Sequence, residues 1–508
     1  MTDLKITIKT QFGLEEVLKQ EIEDLGYTDV KVLNRAVQLI GDWKTVYDLN
    51  LNCRVAISVL VELDHFRIRE EKDIYKHAKR IDWTKYFDIS KTFAVKGAVN
   101  SSLFNHSQFP FLVVKDAIAD SFRERYDERP DVDLKHPNIV IDVYVREKEV
   151  TLSINTSGLP LFQRGYRSST GDAPLNEVVA AGLLRLSGWD KKSTFVDPFC
   201  GSGTLVIEAA LMAANIPALI KRESFAFMHM KDFNATTWKE ILGKANKNAV
   251  DLGFKIYGSD EDGEVIVKAR RNAGVLPIAS MVDFSVGKFQ KTHVEENKGS
   301  LVTNPPYGER MGENVEALYE ELGDWFKSEM KGFSCWVISS SEEGFKHLGL
   351  RPDKRLTLYN GSLKCSFRKY EVYDGSKRAK FQDPDYKPKP RKGIKERAEK
   401  KPRGIDQFAP KETQEKSELN FIDKIKRMRG EDVEPKKSTS ARLTKKEKIV
   451  KETVQEDKSI KDSSTESEKI TGDKGKSEMQ KSKGIEAPIT LRKQSGNAAS
   501  KYGVREDD

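Results

Sequence analysis

The chain opens on the alternating run LKITIK, passes into GLEEVLKQEIEDLG with apolar residues at Leu14, Val17, Leu18 and Ile22, and returns as VKVLNRAVQLIG. Alternation sets successive side chains on opposite faces of a strand, whereas apolar positions three and four apart share one face of a helix. Residues 1–60 therefore predict a small βαβ-type α/β unit, with Gly26 stopping the helix. A second unit, residues 61–158, carries VVKDAIADSFRERY, where Val114, Ile118, Phe122 and Tyr126 form one helical stripe. It ends in IVIDVYVREKEVTLSI, two alternating runs about the polar pair Glu147-Lys148, which predicts a hairpin. Between these elements NSSLFNHSQFPF sets Phe104, Phe109 and Phe111 among small polar residues, either as loop anchors or as rings that stack on bases.

The segment GLPLFQRGYRSSTGDAPLNE is rich in Gly, Pro and Ser and reads as a linker. From Asn176 the pattern changes to EVVAAGLLRLSG, TFVDPFC, TLVIEAALMAA, FKIYGSD, EVIVKARRNAG, SLVTNPPY and SCWVISSS. Helices alternating with short apolar strands predict a parallel sheet covered on both faces, so residues 159–380 are a linker and an α/β domain. Ligands of such sheets bind outside the carboxyl ends of the strands.

Composition sets a limit on how much of the chain folds. It is 508 residues long, 38% hydrophobic and 33% charged, with a mean hydropathy of −0.59, more polar than a compact globule of that size. Residues 381–508 hold 33 Lys and Arg, 25 Asp and Glu and only five aromatic residues, which leaves 54 charges of each sign before residue 381. The net charge of +8 thus lies wholly in this segment. It buries too little apolar surface to offset the entropy of ordering, so a disordered basic tail is expected, with a transient helix near Phe421 to Met428. Interleaved acids favour a solubilising tail over an RNA anchor.

The four cysteines, Cys53, Cys200, Cys335 and Cys365, include no C-x-x-C pair, so neither a disulfide framework nor a zinc site is expected, and the compartment is reducing. No apolar run approaches the roughly 18 residues that span a bilayer, and MTDLKITIKTQFG has no signal-peptide core. A cytoplasmic protein without membrane contact is expected, with a monomer as the favoured state.

Two stretches carry chemistry. In FVDPFCGSGTLVIEAALMAA a turn, Cys200-Gly201-Ser202-Gly203-Thr204, joins an apolar strand to an apolar helix. Its glycines let a ligand approach the backbone, and the helix start offers unpaired N–H groups. The spacing is not G-x-G-x-x-G, there is no P-loop Lys, and Asp197 leads into the loop. A carboxylate there suits a cationic ligand end, such as the amino group of S-adenosylmethionine, and repels a pyrophosphate. A later strand, FKIYGSD, ends in Asp260, placed either to accept from a ribose diol or to cap the helix that follows.

The second stretch is NPPYGER. Two prolines behind Asn304 make a rigid loop. At a strand end beside a methyl-donor pocket, Asn304 and the Pro305 carbonyl are two fixed acceptors for an exocyclic amine. Holding its hydrogens directs the nitrogen lone pair at the methyl group, with no metal required. Tyr307 can stack on an extruded base.

DPFCGSGT resembles the donor-binding motif, and NPPYGER the catalytic motif, of class I amino-methyltransferases. Over residues 1–375 the chain resembles the bacterial 23S rRNA guanine-N2 methyltransferases, once grouped with N6-adenine-specific DNA methylases. The N-terminal part, with VKDAIADSF and PNIVIDVYV, resembles a ferredoxin-like unit (residues 1–60) plus a THUMP RNA-binding domain (61–158); FQRGYR and APLNEVVAAGLLRLSGW resemble the start of a Rossmann-like catalytic domain. The resemblance implies donor contacts at Asp197, Pro198, Gly201, Gly203, Thr204 and Asp260, with Pro174 and Leu175 near the methionine end. It implies catalytic positions at Asn304, Pro305, Pro306 and Tyr307, and no metal. The adenine of the donor would be read near Asp283 or Lys288. A second methyltransferase domain, present in some members, is not expected, since no second donor loop or N-P-P-Y occurs.

The motif specifies an amine on a planar ring. Guanine N2 in 23S rRNA, free or in a large-subunit precursor particle, follows from the resemblance. N6-adenine methylation of RNA or DNA is the alternative among enzymes, and a non-catalytic ribosome-assembly factor the alternative of another class. With no net charge before residue 381, RNA contact is expected from local patches such as KHAKR and RLTLYNGSLKCSFRKYEVYDGSKRAK.

Overall fold

The computed structural model describes residues 3–104, 106–167, 175–292, 294–306, 315–361 and 363–372. Pro174, Tyr307 and the charged tail, for which expectations are stated above, lie outside the described residues.

The alternating N-terminal run forms β1 (Leu4–Lys9), with Ile6 and Ile8 buried, and Leu14, Leu18 and Ile22 press one face of α1 (Glu15–Asp24) into the same core. The expected single return strand is a hairpin, β2 (Lys31–Leu33) and β3 (Ala36–Gly41). Its two-residue turn, Asn34-Arg35, forces Arg35 into the left-handed region at φ 57°. The chain therefore reverses one strand early and β3 meets β1 antiparallel, so the βαβ reading gives way to an antiparallel layout. After α2 (Trp43–Asn52), whose Asp42 and Thr45 form a capping box, comes β4 (Ser58–Arg67).

Strand β4 joins the two front units. Its first residues pair with β1, and from Leu60 to Arg67 it pairs with β7 (Glu149–Asn155). With α3 (Lys72–Arg80), β5 (Phe93–Asn100), α4 (Phe109–Tyr126) and β6 (Ile139–Arg146), the result is one seven-stranded sheet ordered β2-β3-β1-β4-β7-β6-β5. All its pairs are antiparallel except β5 with β6. The hairpin expected about Glu147 and Lys148 joins β6 to β7. Val114, Ile118 and Phe122 are fully buried, but Tyr126 is exposed because α4 ends there, at left-handed Asp127. Phe104 is buried and Phe109, which starts α4, is partly exposed, so only the first is a plain core anchor.

The second sheet is built from α5 (Glu177–Ser187), β8 (Thr194–Asp197), α6 (Thr204–Ala213), α7 (Ala235–Asn248), β9 (Ile256–Asp260), α8 (Gly263–Gly274), β10 (Val282–Val286), β11 (Gly299–Thr303), α9 (Val315–Glu329), β12 (Phe333–Ser339), α10 (Glu342–His347), β13 (Lys354–Asn360) and β14 (Leu363–Glu371). Its order is β10-β9-β8-β11-β12-β14-β13, and the first five strands are parallel as expected. The last two are antiparallel, since the chain reverses just after Asn360, which pairs with Leu363, and Gly361 at φ 63° helps fold β14 back between β12 and β13. Among the described residues no helix is long and apolar enough to cross a membrane.

A buried polar network ties the linker to both sides. Arg164 and Glu208, 1% and 0% exposed, form an ion pair at 3.1 Å. Arg164 also donates to the Leu161 carbonyl at 2.7 Å and to the Arg54 carbonyl. The Arg54 guanidinium in turn donates to the carbonyls of Leu211 and Ile216, at and beyond the end of α6, while Glu21 of α1 accepts from the Arg54 and Val55 N–H groups. Removing one partner of such a pair strands a charge in a low dielectric. Glu208→Gln is therefore expected to lower the unfolding free energy by about 3–5 kcal/mol in urea denaturation; an unchanged midpoint would show that the pair does not hold the linker.

Candidate active site

The two chemistry-bearing motifs meet where the strand order reverses. After β8 the chain lays β9 and β10 to one side, and β11 and β12 to the other, which opens a crevice outside the carboxyl ends of β8 and β11. Asp197 ends β8, and Thr303, just before Asn304, ends β11. Asp197 Oδ1 accepts from the Thr303 hydroxyl at 2.7 Å and from the Phe199 N–H at 3.2 Å. Thr303 is fully buried and Asp197 is 1% exposed, so the expected open carboxylate is enclosed and bonds the donor-side strand to the Asn304 strand.

Asp260 closes the other side of the loop. Its Oδ2 accepts from the Gly201 N–H at 3.0 Å and its Oδ1 from the Asp262 N–H at 3.1 Å. The cap of α8 is Asp262, which accepts from Glu264 N–H, so Asp260 is not spent on capping. Burial raises the carboxyl of Asp260 above the ordinary range. For Asp197 burial acts more strongly, pushing it up to about 7 against the opposing hydrogen bonds, and the Asp260 charge adds to the rise. Neither carboxylate has a cationic partner among the described residues, which leaves a desolvated negative site beside an open loop.

The two loop glycines do different work. Gly201 lies at φ 52°, and a side chain there would meet open space, so its backbone faces the crevice. Gly203, at φ 85°, lies in the left-handed region that favours glycine, and a side chain there would also crowd Ala269 and Phe284 at 3.1 Å. Pro198 and Thr204 are buried beside them. Leu175 is buried too, its carbonyl 3.5 Å from Arg167 Nη2.

Arg167 and Thr303 are positions that motif reading passed over. Arg167, in FQRGYR, pairs with Glu177 at 2.9 Å and donates to the Thr204 hydroxyl at 2.9 Å, pinning the end of the linker to the start of α6. A buried Thr next to the Asn-Pro-Pro run was the available signal for the other. Of the two positions considered for an adenine, Asp283 lies near the amino end of β10, opposite Tyr257. Lys288 lies past its carboxyl end, beside Gly287, whose N–H donates to the Asp260 carbonyl at 2.9 Å. Lys288 therefore stands on the same rim as Asp260, and Asp283 does not.

Asn304 is half-buried, Pro305 buried and Pro306 half-buried. Asn304 Oδ1 is shielded from solvent yet has no hydrogen-bond partner among the described residues. A buried carbonyl oxygen left unpaired is costly, and at the mouth of a crevice it marks an acceptor held for a ligand.

Comparison with known proteins identifies the family. Residues 5–60 match the RlmL ferredoxin-like domain, residues 69–155 the THUMP domain, and residues 164–369 the RMKL-like methyltransferase domain. A protein of Synechocystis sp. whose name proposes an RNA methyltransferase is 36% identical over 365 residues, covering 71% of this chain and 95% of that one. The chain belongs to the THUMP-containing, RMKL-like methyltransferase family. Within the family, the ribosomal RNA large subunit methyltransferase K/L of Shewanella frigidimarina is 38% identical over 374 residues, covering 72% of this chain. The chain spans about half the length of that relative, 52%. The solved structure of SMU.472, whose description proposes a methyltransferase and which is complexed with SAH, superposes with a TM-score of 0.66 at 28% identity, covering 74% of this chain and all of that one.

The Asp197 carboxyl makes stability depend on pH in a definite direction. Its folded value, about 7, lies above its ordinary value of 3.8, so between those pH values the folded state holds more protons and stability falls as pH rises. Asp197→Asn keeps an acceptor for Thr303 and removes this titration. Thermal unfolding from pH 4.5 to 7.5 is expected to show the variant gaining on the wild type as pH rises; parallel curves would overturn the assignment.

Proposed function

We propose that this protein transfers a methyl group from S-adenosylmethionine to the N2 amine of a guanine in 23S rRNA, as free rRNA or in a large-subunit precursor particle. The observation that carries the reading is the shielded, unpartnered Asn304 Oδ1 in the crevice shared with Asp197, Asp260 and the glycine loop. The family places the chain among methyltransferases, and the name of the Shewanella relative supports large-subunit rRNA as substrate.

The residues present fit the donor. Gly201 offers backbone facing open space, Asp260 a carboxylate at a strand end for a ribose diol, and Asp197 a negative field for an ammonium or sulfonium centre. Pro198, Gly203 and Thr204 shape the loop, Leu175 and Pro174 border the methionine end, and Lys288 borders the adenine end. Bound S-adenosylmethionine supplies an electrophilic methyl group. Asn304 Oδ1 and the Pro305 carbonyl accept the two amine hydrogens and so localise the nitrogen lone pair along the line of transfer. Pro306 stiffens the loop, and Tyr307 stacks on the extruded base. The proton displaced from the methylated nitrogen passes to solvent. Neither a strong base nor a metal is needed. The protein works as a monomer in the cytoplasm, where its substrate is made.

Incubation with labelled S-adenosylmethionine and unmodified large-subunit rRNA, followed by digestion and mass spectrometry, is expected to place label in N2-methylguanosine. Asn304→Ala is expected to lower the rate by about 10²–10³-fold, with S-adenosylhomocysteine affinity little changed. Label in N6-methyladenosine would instead assign the adenine chemistry. Tight rRNA binding without label would assign an assembly factor.

A further inference from the structure

The hairpin of β13 and β14 holds a basic, aromatic stretch that the catalytic reading leaves unused. Its turn lies at a definite place. Thr303 of β11 pairs with Val337 of β12, and Ser339 at the end of β12 pairs with Ser366 of β14, so the turn after Asn360 stands on the same rim as Asn304. Three strand steps separate β11 from β13, about 15 Å at the usual inter-strand spacing.

At that point a loop from the front unit meets the hairpin. Gly13 sits against β13, where a side chain would approach Leu358 at 3.5 Å and the Thr357 carbonyl at 3.6 Å. Beside it the Phe12 ring, 46% exposed, packs edge-on against Tyr359 with centroids 5.7 Å apart. The Arg35 guanidinium lies 5.8 Å from the Phe12 ring centre. Arg35 and Lys364, which stands opposite Tyr359 across the strand pair, are both exposed, and among the described residues neither pairs with a carboxylate. Glu15, the acid nearest in sequence to Phe12, is already engaged by the N–H groups of Gly13 at 2.8 Å and Arg35 at 3.0 Å.

An exposed Phe12 ring set against a half-buried Tyr359, beside two cations that pair with no carboxylate among the described residues, offers what a single-stranded nucleic acid needs: rings for stacking, charges for phosphates. We propose that Phe12, Tyr359, Arg35 and Lys364 form a platform that receives a single-stranded stretch of the substrate RNA flanking the target base. The inference rests on the reading of the substrate as RNA. Two units build the platform, so it positions the strand relative to the crevice as well as binding it.

Fluorescence anisotropy with a labelled oligouridylate, using the full chain, tests this. Phe12→Ala/Tyr359→Ala is expected to weaken binding about tenfold. Arg35→Gln is expected to reduce the slope of log affinity against log salt by about one. S-adenosylhomocysteine binding by calorimetry should match the wild type in all variants, which shows them folded. On rRNA, KM rises with kcat retained. Wild-type oligouridylate affinity and slope in both variants would overturn the platform, even if methyl transfer proceeds. Equal competition by duplex RNA would overturn the stacking role. Loss of oligouridylate binding in the variants of a protein that transfers no methyl group would keep the platform and sink the proposed reaction.

Discussion

A guanidinium and a carboxylate, both sealed from water, hold the linker in place: Arg164 against Glu208 of α6. Helix α6 is also the one that starts from the glycine loop, so whatever fixes it fixes the loop. Arg164 further binds the Arg54 carbonyl, and the Arg54 guanidinium grips the chain at the end of the same helix. The front sheet, the linker and the donor side of the crevice are thus coupled through one desolvated network. An ion pair of this kind adds little net stability over an apolar replacement, but it penalises misplacement heavily. Here it sets register between the front sheet and the helix that starts from the glycine loop.

The crevice follows the same logic with the opposite sign. Asp197 is a buried carboxylate and Asp260 a half-buried one, neither paired with a cation among the described residues, an unfavourable arrangement that raises the pKa of both. A cationic ligand relieves it. The Thr303 hydroxyl, bonded to Asp197, lets the charge state of the donor side reach the strand that carries Asn304. Asn304 in turn keeps an acceptor unpaired.

How much of this was legible varies by residue. The stripe of α4 and the parallel core of the second sheet were readable, since alternation and helical spacing report which side faces the interior. The β2–β3 hairpin was missed because three exposed residues carry no burial pattern. The Asn360-Gly361 dipeptide marked a hairpin, though the pairing of Asn360 with Leu363 sets the turn one residue later. Tyr126 fitted the stripe and is exposed, because periodicity does not say where a helix outruns its core. Within the crevice Asp260 could not be separated from a cap until Asp262 was seen to fill that place.

The sequence by itself determined the parts whose causes are local: the glycines of a tight loop, the stiffness of Asn-Pro-Pro, the acid at each strand end, and the element types between them. These depend on steric limits within a few residues. The tertiary structure alone decided which groups meet. Thr303 and Asp197 are 106 residues apart, Asp260 and Gly201 59, and Arg164 and Glu208 44. Phe12 and Tyr359 come from opposite ends of the folded region. No local pattern encodes such pairs, because burial, not sequence proximity, makes an unpaired charge or hydroxyl costly enough to select its partner.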